Sequence, residues 1–377
     1  MTEPAGLPPG AFALDFESQG NTVPAASRVA LGPDGRLSAL VISSGGTYGA
    51  YGVGILTASM QSRQWPQFDV VTGVSVGSIL ALIAFAEELD HATAVKWLGR
   101  ITEAIDDEAS FTRQVDWIYF AQGRGTPVAR GIVRVIEELI SPELVAAVAR
   151  QHAAGRRLFV ASTNLTTARP IIWDVGLLAS DTSVGVAERV GHVRRAILSS
   201  TAVPAIFPSQ IVPSDDDMML HADGGIMQPF LLVGMLAQQA QQSDHRGPQI
   251  FFLENGKFEG IGTADLTPDP ISVLMRTLEV GLRANLRSML DSLYWRALAD
   301  GWEVRVAVLP DSSPVSSNAG VDFSRAVLQS LFEYAHRVSL DALRKPDGIT
   351  TLWRPLEETF APRHPRAALA TGGRAAD

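Results

Sequence analysis

A serine hydroxyl acts as a nucleophile only where the backbone lifts it clear and a base can take its proton. Ser75 lies in Gly73-Val74-Ser75-Val76-Gly77, directly after the apolar run Phe68 to Thr72 and directly before the apolar run Val76 to Glu88. A strand, a Gly-x-Ser-x-Gly turn and a helix make a nucleophile elbow. Gly73 and Gly77 let the chain turn sharply enough to present the hydroxyl at the top of a sheet. Upstream, Leu37 to Ser43 reads as a buried strand that runs into Ser44-Gly45-Gly46-Thr47-Tyr48-Gly49-Ala50. Backbone N–H groups at Gly45 and Gly46, unshielded by side chains and followed by a helix N-terminus, suit the negative charge that develops in acyl transfer. Far downstream, His221-Ala222-Asp223-Gly224-Gly225 places an aspartate before two glycines. Alone, that triplet is also what an ordinary turn uses.

Other chemistries compete for the same residues. Gly45, Gly46, Gly49 and Gly52 imitate a dinucleotide loop, with Asp69 near the distance expected of a ribose-binding acid. The spacing is not Gly-x-Gly-x-x-Gly, however, and Asp69 opens its strand where such an acid should close it. A Ser-His-acid triad has seven histidines to draw on: His91, His152, His192, His221, His245, His336 and His364. His364 and His245 fall in polar segments, and His336 falls inside a probable helix. His221 is expected as a half-buried strand histidine on the same side as Asp223, since residues two apart on a strand share a face. Asp215-Asp216-Asp217 reads as a solvated loop tip without the His or Cys cluster that a metal would want, so no metal is expected.

The segment before the aspartate, Ala196-Ile197-Leu198-Ser199-Ser200-Thr201-Ala202-Val203-Pro204-Ala205-Ile206-Phe207-Pro208, completes a pattern. With it the chain resembles the patatin-like phospholipases, a family of lipid acyl hydrolases. They share a glycine-rich oxyanion loop, a Gly-x-Ser-x-Gly elbow, a small-residue segment ending in Pro-x-x-Phe-Pro, and Asp-Gly-Gly or Asp-Gly-Ala. All four blocks stand here in the family's order, and Ala161 to Pro170 resembles its strand–turn–strand. The likeness covers about residues 37–345. It implies a three-layer α/β/α fold with a mostly parallel central sheet. It further implies a Ser75–Asp223 dyad, an oxyanion hole at Gly45 and Gly46, and supporting turns at Gly49, Gly224 and Gly225. An acyl-enzyme would form, with neither metal nor organic cofactor. A carboxylate is a weak base, so burial should help Asp223 by raising its pKa. The chain departs from the family at Ser44 and Tyr48, where a glycine and an Arg or Lys are usual, and at Val76, where a small residue is usual. Tyr48→Arg is expected to restore a cation, and Val76 to narrow the site.

The elements that must position these residues alternate. Strands are expected at 37–43, 68–72, 158–164, 169–174, 249–254 and 302–309, with a short one at 11–16. Helices are expected at 50–60, 76–88, 91–105, 128–138, 142–154, 189–198, 229–241, 270–299 and 323–343. Such alternation gives a mostly parallel sheet covered by helices on both faces. The expected organisation is an irregular leader at 1–35, one catalytic domain at 36–360 and a disordered tail at 361–377. Phe111 to Gly125, with Trp117, Tyr119 and Phe120, is the candidate lid, and Arg276, Arg283 and Arg287 form a stripe that either is solvated or meets lipid headgroups.

With 46% apolar and 19% charged residues the chain can bury a large core. A net charge of −9 argues against nucleic acid as partner. No cysteine is present, so disulfide and thiol chemistry are excluded. No signal peptide and no span of bilayer length is seen, and the expectation is a cytoplasmic protein that touches bilayers transiently. The reading is a serine hydrolase of phospholipid or other membrane acyl-lipid esters. Beside it stand a Ser-His-Asp carboxylesterase and a lipid-binding scaffold with a decayed site. Acyl position, headgroup and any need for an activator stay open.

Overall fold

Along the first long strand, Leu37, Ala39 and Val41 face one side while Leu40 and Ile42 face the other. That period of two decides which helices cover which face. The computed structural model describes residues 11–13, 36–62, 65–86, 127–204, 206–213, 218–232, 247–258, 270–311 and 324–362, with isolated positions 27, 29, 92, 96, 100 and 313. The expected helix at 91–105 apart from positions 92, 96 and 100, the candidate lid at 111–125, the Asp215–Asp217 tip, most of the leader and the tail beyond residue 362 lie outside them.

Among the described residues ten strands form one sheet: β1 Ala11–Ala13, β2 Ser38–Ile42, β3 Val70–Val74, β4 Arg157–Asn164, β5 Arg169–Asp174, β6 Gln210–Pro213, β7 Met218–Asp223, β8 Gln249–Glu254, β9 Glu303–Val308 and β10 Arg354–Pro355. Their order is β1-β5-β4-β3-β2-β8-β9-β10, with β7 paired to the end of β4 and β6 to β7. From β4 through β9 the neighbours run parallel, and antiparallel strands flank them. The sheet is therefore mixed and mostly parallel, with its central strands buried end to end as continuous apolar runs demand.

The helices are α1 Gly49–Gln61, α2 Val76–Ala86, α3 Pro127–Leu139, α4 Pro142–Ala153, α5 Val175–Ser180, α6 Val186–Ser200, α7 Pro270–Asp300, α8 Arg325–Leu343, α9 Gly348–Leu352 and α10 Leu356–Thr359. On one face, α1, α2, α4, α6 and α8 pack against Leu40, Ile42, Val71, Leu158, Val160 and Leu253. On the other, Leu286, Leu290, Leu293 and Ala297 of α7 join Phe360 over Ala39, Val41, Val70, Phe159 and Phe252. Three layers result, as expected.

Two expectations fail. Residues 229–232 are not helical, and the remainder of the expected 229–241 helix lies outside the described residues. The hairpin β6–β7, which carries Asp223, was not among the expected strands. Its Ile211, Met218 and Leu220 are exposed, so the apolar–polar alternation that marks a strand is missing.

Candidate active site

Ser75 sits between β3 and α2 with φ at 56°, in the left-handed region that a residue with a Cβ seldom enters. The elbow is held there by its neighbours. A Cβ at Gly73 would stand 2.1 Å from the carbonyl oxygen of Gly77, and one at Gly77 would stand 2.4 Å from that of Ser43, so both turns require glycine for closeness of approach. The Ser75 N–H donates to Ser200 Oγ at 3.0 Å. Its carbonyl accepts from the Ser78 N–H at 2.8 Å and the Ser78 hydroxyl at 2.6 Å. Ser200 ends α6 inside the small-residue segment; its role in bracing the elbow was invisible in the sequence, where it is one small residue among several.

Asp223 ends β7 opposite Ser162 of β4. Its N–H donates to the Ala202 carbonyl at 2.9 Å, and its own carbonyl accepts from the Thr163 hydroxyl at 2.9 Å. The carboxyl is thereby fixed by backbone on both sides. Oδ1 accepts from the Gly225 N–H at 2.7 Å. Oδ2 is buried and has no hydrogen-bond partner among the described residues. Burial pushes the pKa of Asp223 up to about 6, against the lowering pull of the Ser75 hydroxyl and the Gly225 N–H. Ser75 and Asp223 are both 5% exposed. The two residues, far apart in sequence, meet at the C-terminal rim of the parallel strands, where open α/β sheets bind ligands. Gly224 permits this, since a Cβ there would stand 2.1 Å from the Ala161 carbonyl oxygen.

The glycine-rich loop follows β2. Gly46 has φ at 55°, and Gly45 is seated so closely on β8 that a Cβ would fall 2.0 Å from the Asn255 carbonyl oxygen. Asn255 fastens the strand end below it: its N–H donates to Ser43 Oγ and its Nδ2 to the Ser43 carbonyl, each at 2.8 Å. Among the described residues no acceptor takes the N–H groups of Gly45 or Gly46.

The two departures from the family's pattern resolve differently from expectation. Val76 does not line the cleft; it leans on Gly49, where a Cβ would stand 2.2 Å from Val76 Cγ2. A β-branched residue after the serine is accommodated by the absent side chain at Gly49, and the site is not narrowed. Tyr48 is 1% exposed and packs into the core, with the Arg283 guanidinium 5.9 Å from its ring centroid.

No histidine lines the cleft among the described residues. His221 is fully buried, more so than expected, and faces Ser162: its Nδ1 lies 2.9 Å from Ser162 Oγ, which also accepts from Trp173 Nε1 at 2.9 Å. Burial pushes its pKa down to about 4. His336 stacks on Phe332 and meets Gln61 Oε1 at 3.3 Å, His152 pairs with Asp174 at 3.8 Å, and His192 stands near Glu188 on α6. His91, His245 and His364 are outside the described residues.

Around Ser75 the cleft is lined by Ser44, Gly45, Gly46, Asp223 and Gly225. Its walls are apolar, with Val203, Pro204, Ile206 and Phe207 on one side and Leu278, Leu282 and Leu286 of α7 on the other. Glu254, Asn255, Glu279 and Arg283 add a polar margin. The arginine stripe of α7 is neither a solvated face nor a uniform basic surface. Arg276 pairs with Glu279 at 2.7 Å, Arg283 enters the cleft, and Arg287, 8% exposed, donates to the Ala361 carbonyl and lies 4.2 Å over the Phe360 ring. Among the described residues no cluster of three His, Asp or Glu is arranged to hold a metal, and no helix is long and apolar enough to cross a membrane.

No curated protein sequence matches the chain. The crystal structure of VipD from Legionella pneumophila is a loose structural neighbour, with 11% identity, a TM-score of 0.33 and coverage of 86% of this chain and 74% of that one. The sequence model of the patatin-like phospholipases matches residues 40–233, just over half of the 377, and takes in the loop, the elbow and the Asp-Gly-Gly turn. The chain belongs to the patatin-like phospholipase family and is a lipid acyl hydrolase.

Proposed function

We propose that Ser75 and Asp223 act as one two-residue unit that cleaves fatty-acyl esters of phospholipids or other membrane lipids through an acyl-enzyme. Asp223 Oδ2 takes the Ser75 proton as the hydroxyl attacks the ester carbonyl. The N–H groups of Gly45 and Gly46 receive the oxyanion. Collapse expels the alcohol, which leaves with the proton, and water then repeats the sequence on the acyl-serine with Asp223 again as base. The observation that carries this reading is the buried, unpartnered Oδ2 of Asp223 beside a serine held in left-handed backbone. The apolar walls of the cleft suit an acyl chain, and a transient bilayer contact at its mouth would deliver the lipid.

Against the triad reading stand His221, which meets Ser162 and whose pKa burial pushes down to about 4, and His336, which meets Gln61 and does not line the cleft. Labelling with a fluorophosphonate probe, followed by mass mapping, tests the proposal. Adduct on Ser75, lost in Ser75→Ala and strongly slowed in Asp223→Asn, is the expected result. Failure to label in the presence of lipid vesicles would favour a decayed lipid-binding scaffold.

A further inference from the structure

Glu254 and Arg283 belong to none of the four sequence blocks, yet both line the cleft. Glu254 ends β8 one residue beyond the pairing of Ile42 with Leu253, so its carboxyl stands at the rim of the sheet beside Ser43. It is 1% exposed, and its Oε2 has no hydrogen-bond partner among the described residues. Arg283 arrives from α7. Its Nη1 donates to the Lys257 carbonyl at 3.0 Å, which uses one of five donors, and its guanidinium lies over Tyr48. Gly256 lets the two groups approach: a Cβ there would meet Arg283 Nη1 at 3.0 Å and Glu254 Oε1 at 3.1 Å.

A buried carboxyl oxygen without a partner is costly to leave unmatched, and the half-buried Arg283 beside it keeps donors to spare for a ligand. They open onto the space that also contains Ser75 and Gly46. We propose that Arg283 is the cation of this site, standing on Tyr48 in place of the basic residue the loop lacks, and that it binds the phosphodiester of a substrate headgroup next to the scissile ester. Glu254 faces Arg283 across Gly256 without pairing directly with it, and its carboxylate is the charge that would compete with a phosphate there. A planar, forked guanidinium is the natural partner of a phosphate. The assignment rests on Ser75 as nucleophile only in placing the scissile ester.

Glu254 also makes the contact respond to pH. The charged groups that share the cleft with it are Arg283 and Glu279 of α7 and Asp223 of β7, and Glu279 is tied to Arg276. Burial raises the Glu254 pKa to about 7, partly offset by Arg283 and the Ser43 hydroxyl. Below that pH Glu254 is neutral and Arg283 offers its full charge; above it the carboxylate competes with the phosphate.

The test uses the full chain with two short-chain soluble esters of the same acyl group, one a neutral glyceride and one a glycerophosphodiester. The measured quantity is the ratio of kcat/KM on the phosphodiester to that on the glyceride, in which the titration of Asp223 cancels. Arg283→Gln should lower this ratio about tenfold or more, and Arg283→Lys should retain part of it. In the parent the ratio should fall as pH rises through 7, and Glu254→Gln should flatten that dependence. Equal loss on both esters in Arg283→Gln and Arg283→Lys, or an unchanged ratio, would overturn the proposal. Binding of the unhydrolysable diether analogue, measured by calorimetry, should weaken to the same extent in Arg283→Gln. That arm judges Arg283 even if neither ester is hydrolysed, a result that would instead count against Ser75 as nucleophile. Inorganic phosphate that inhibits both esters equally through Arg283, with no preference for the phosphodiester, would make this a free-anion site and refute the headgroup assignment.

Discussion

Asp223 carries a charge that its surroundings resist, and both activity and stability should register it. With the pKa raised to about 6, the base is protonated in mild acid, so turnover of a neutral soluble ester should rise with pH through 6 and then level off. For stability the folded pKa lies above the ordinary value of 3.8. The favourable contribution of Asp223 is therefore complete below about 4 and is lost as pH rises through 6. Asp223→Asn escapes that loss. Urea denaturation should find this inactive variant more stable than the parent at pH 8, by up to about 3 kcal/mol at 1.36 kcal/mol per pKa unit, with the gap closing toward pH 4. Ser75→Gly should likewise be inactive yet more stable by about 1–3 kcal/mol, because glycine removes the backbone strain at φ 56° that Ser75→Ala retains. Ser75 and Asp223 were legible in the sequence because a motif surrounds each. Ser200 and Glu254 were not, since only the folded sheet brings them to the rim, and Arg283 was readable as a candidate for headgroup contact but not as a residue of the cleft. For Glu254 the one sequence signal was a carboxylate ending the apolar run Ile-Phe-Phe-Leu-Glu.

At the scale of elements, the glycine-rich loop is shaped by two different constraints. Gly46 needs its left-handed backbone, whereas Gly45 needs only the absence of a side chain against Asn255. Gly45→Val and Gly46→Val should each reduce turnover by about 10² or more, as loss of an oxyanion donor does, and should also lower the melting temperature, because Val at Gly45 meets the Asn255 carbonyl and Val at Gly46 is forced into left-handed backbone. Tyr48 reverses the expectation drawn from the family's pattern. Arginine at this buried position would place a second cation beneath Arg283, so Tyr48→Arg should lose both melting temperature and activity. The strands β2, β3, β4, β5, β8 and β9 were readable from their continuous apolar runs, within about two residues at their ends. The hairpin β6–β7 was not, because its outward positions Ile211, Met218 and Leu220 are themselves apolar and leave no apolar–polar alternation to read, although Asp223 depends on it.

Over the whole molecule, α7 links the two ends of the argument. Its apolar face covers one side of the sheet, its Leu278 and Leu282 line the cleft, and Arg287 holds the segment at Phe360 and Ala361. Arg287→Gln should therefore lower stability by about 2 kcal/mol, the scale of a charged hydrogen bond with a cation–π contact. Hydrolysis of a soluble ester at low temperature and binding to anionic vesicles should change little; a selective loss of vesicle binding would show that Arg287 meets lipid after all. The order in which the sheet is threaded has a further consequence. Gly45 is seated by Asn255 of the strand end after β8, and Ser75 meets Asp223 only when β7 pairs with β4. A ribosome delivers the N-terminal part first, so the growing chain carries its serine long before it can use it. On the proposed dyad, newly made polypeptide should leave lipid esters intact until β7 has paired with β4 and β8 has entered between β2 and β9.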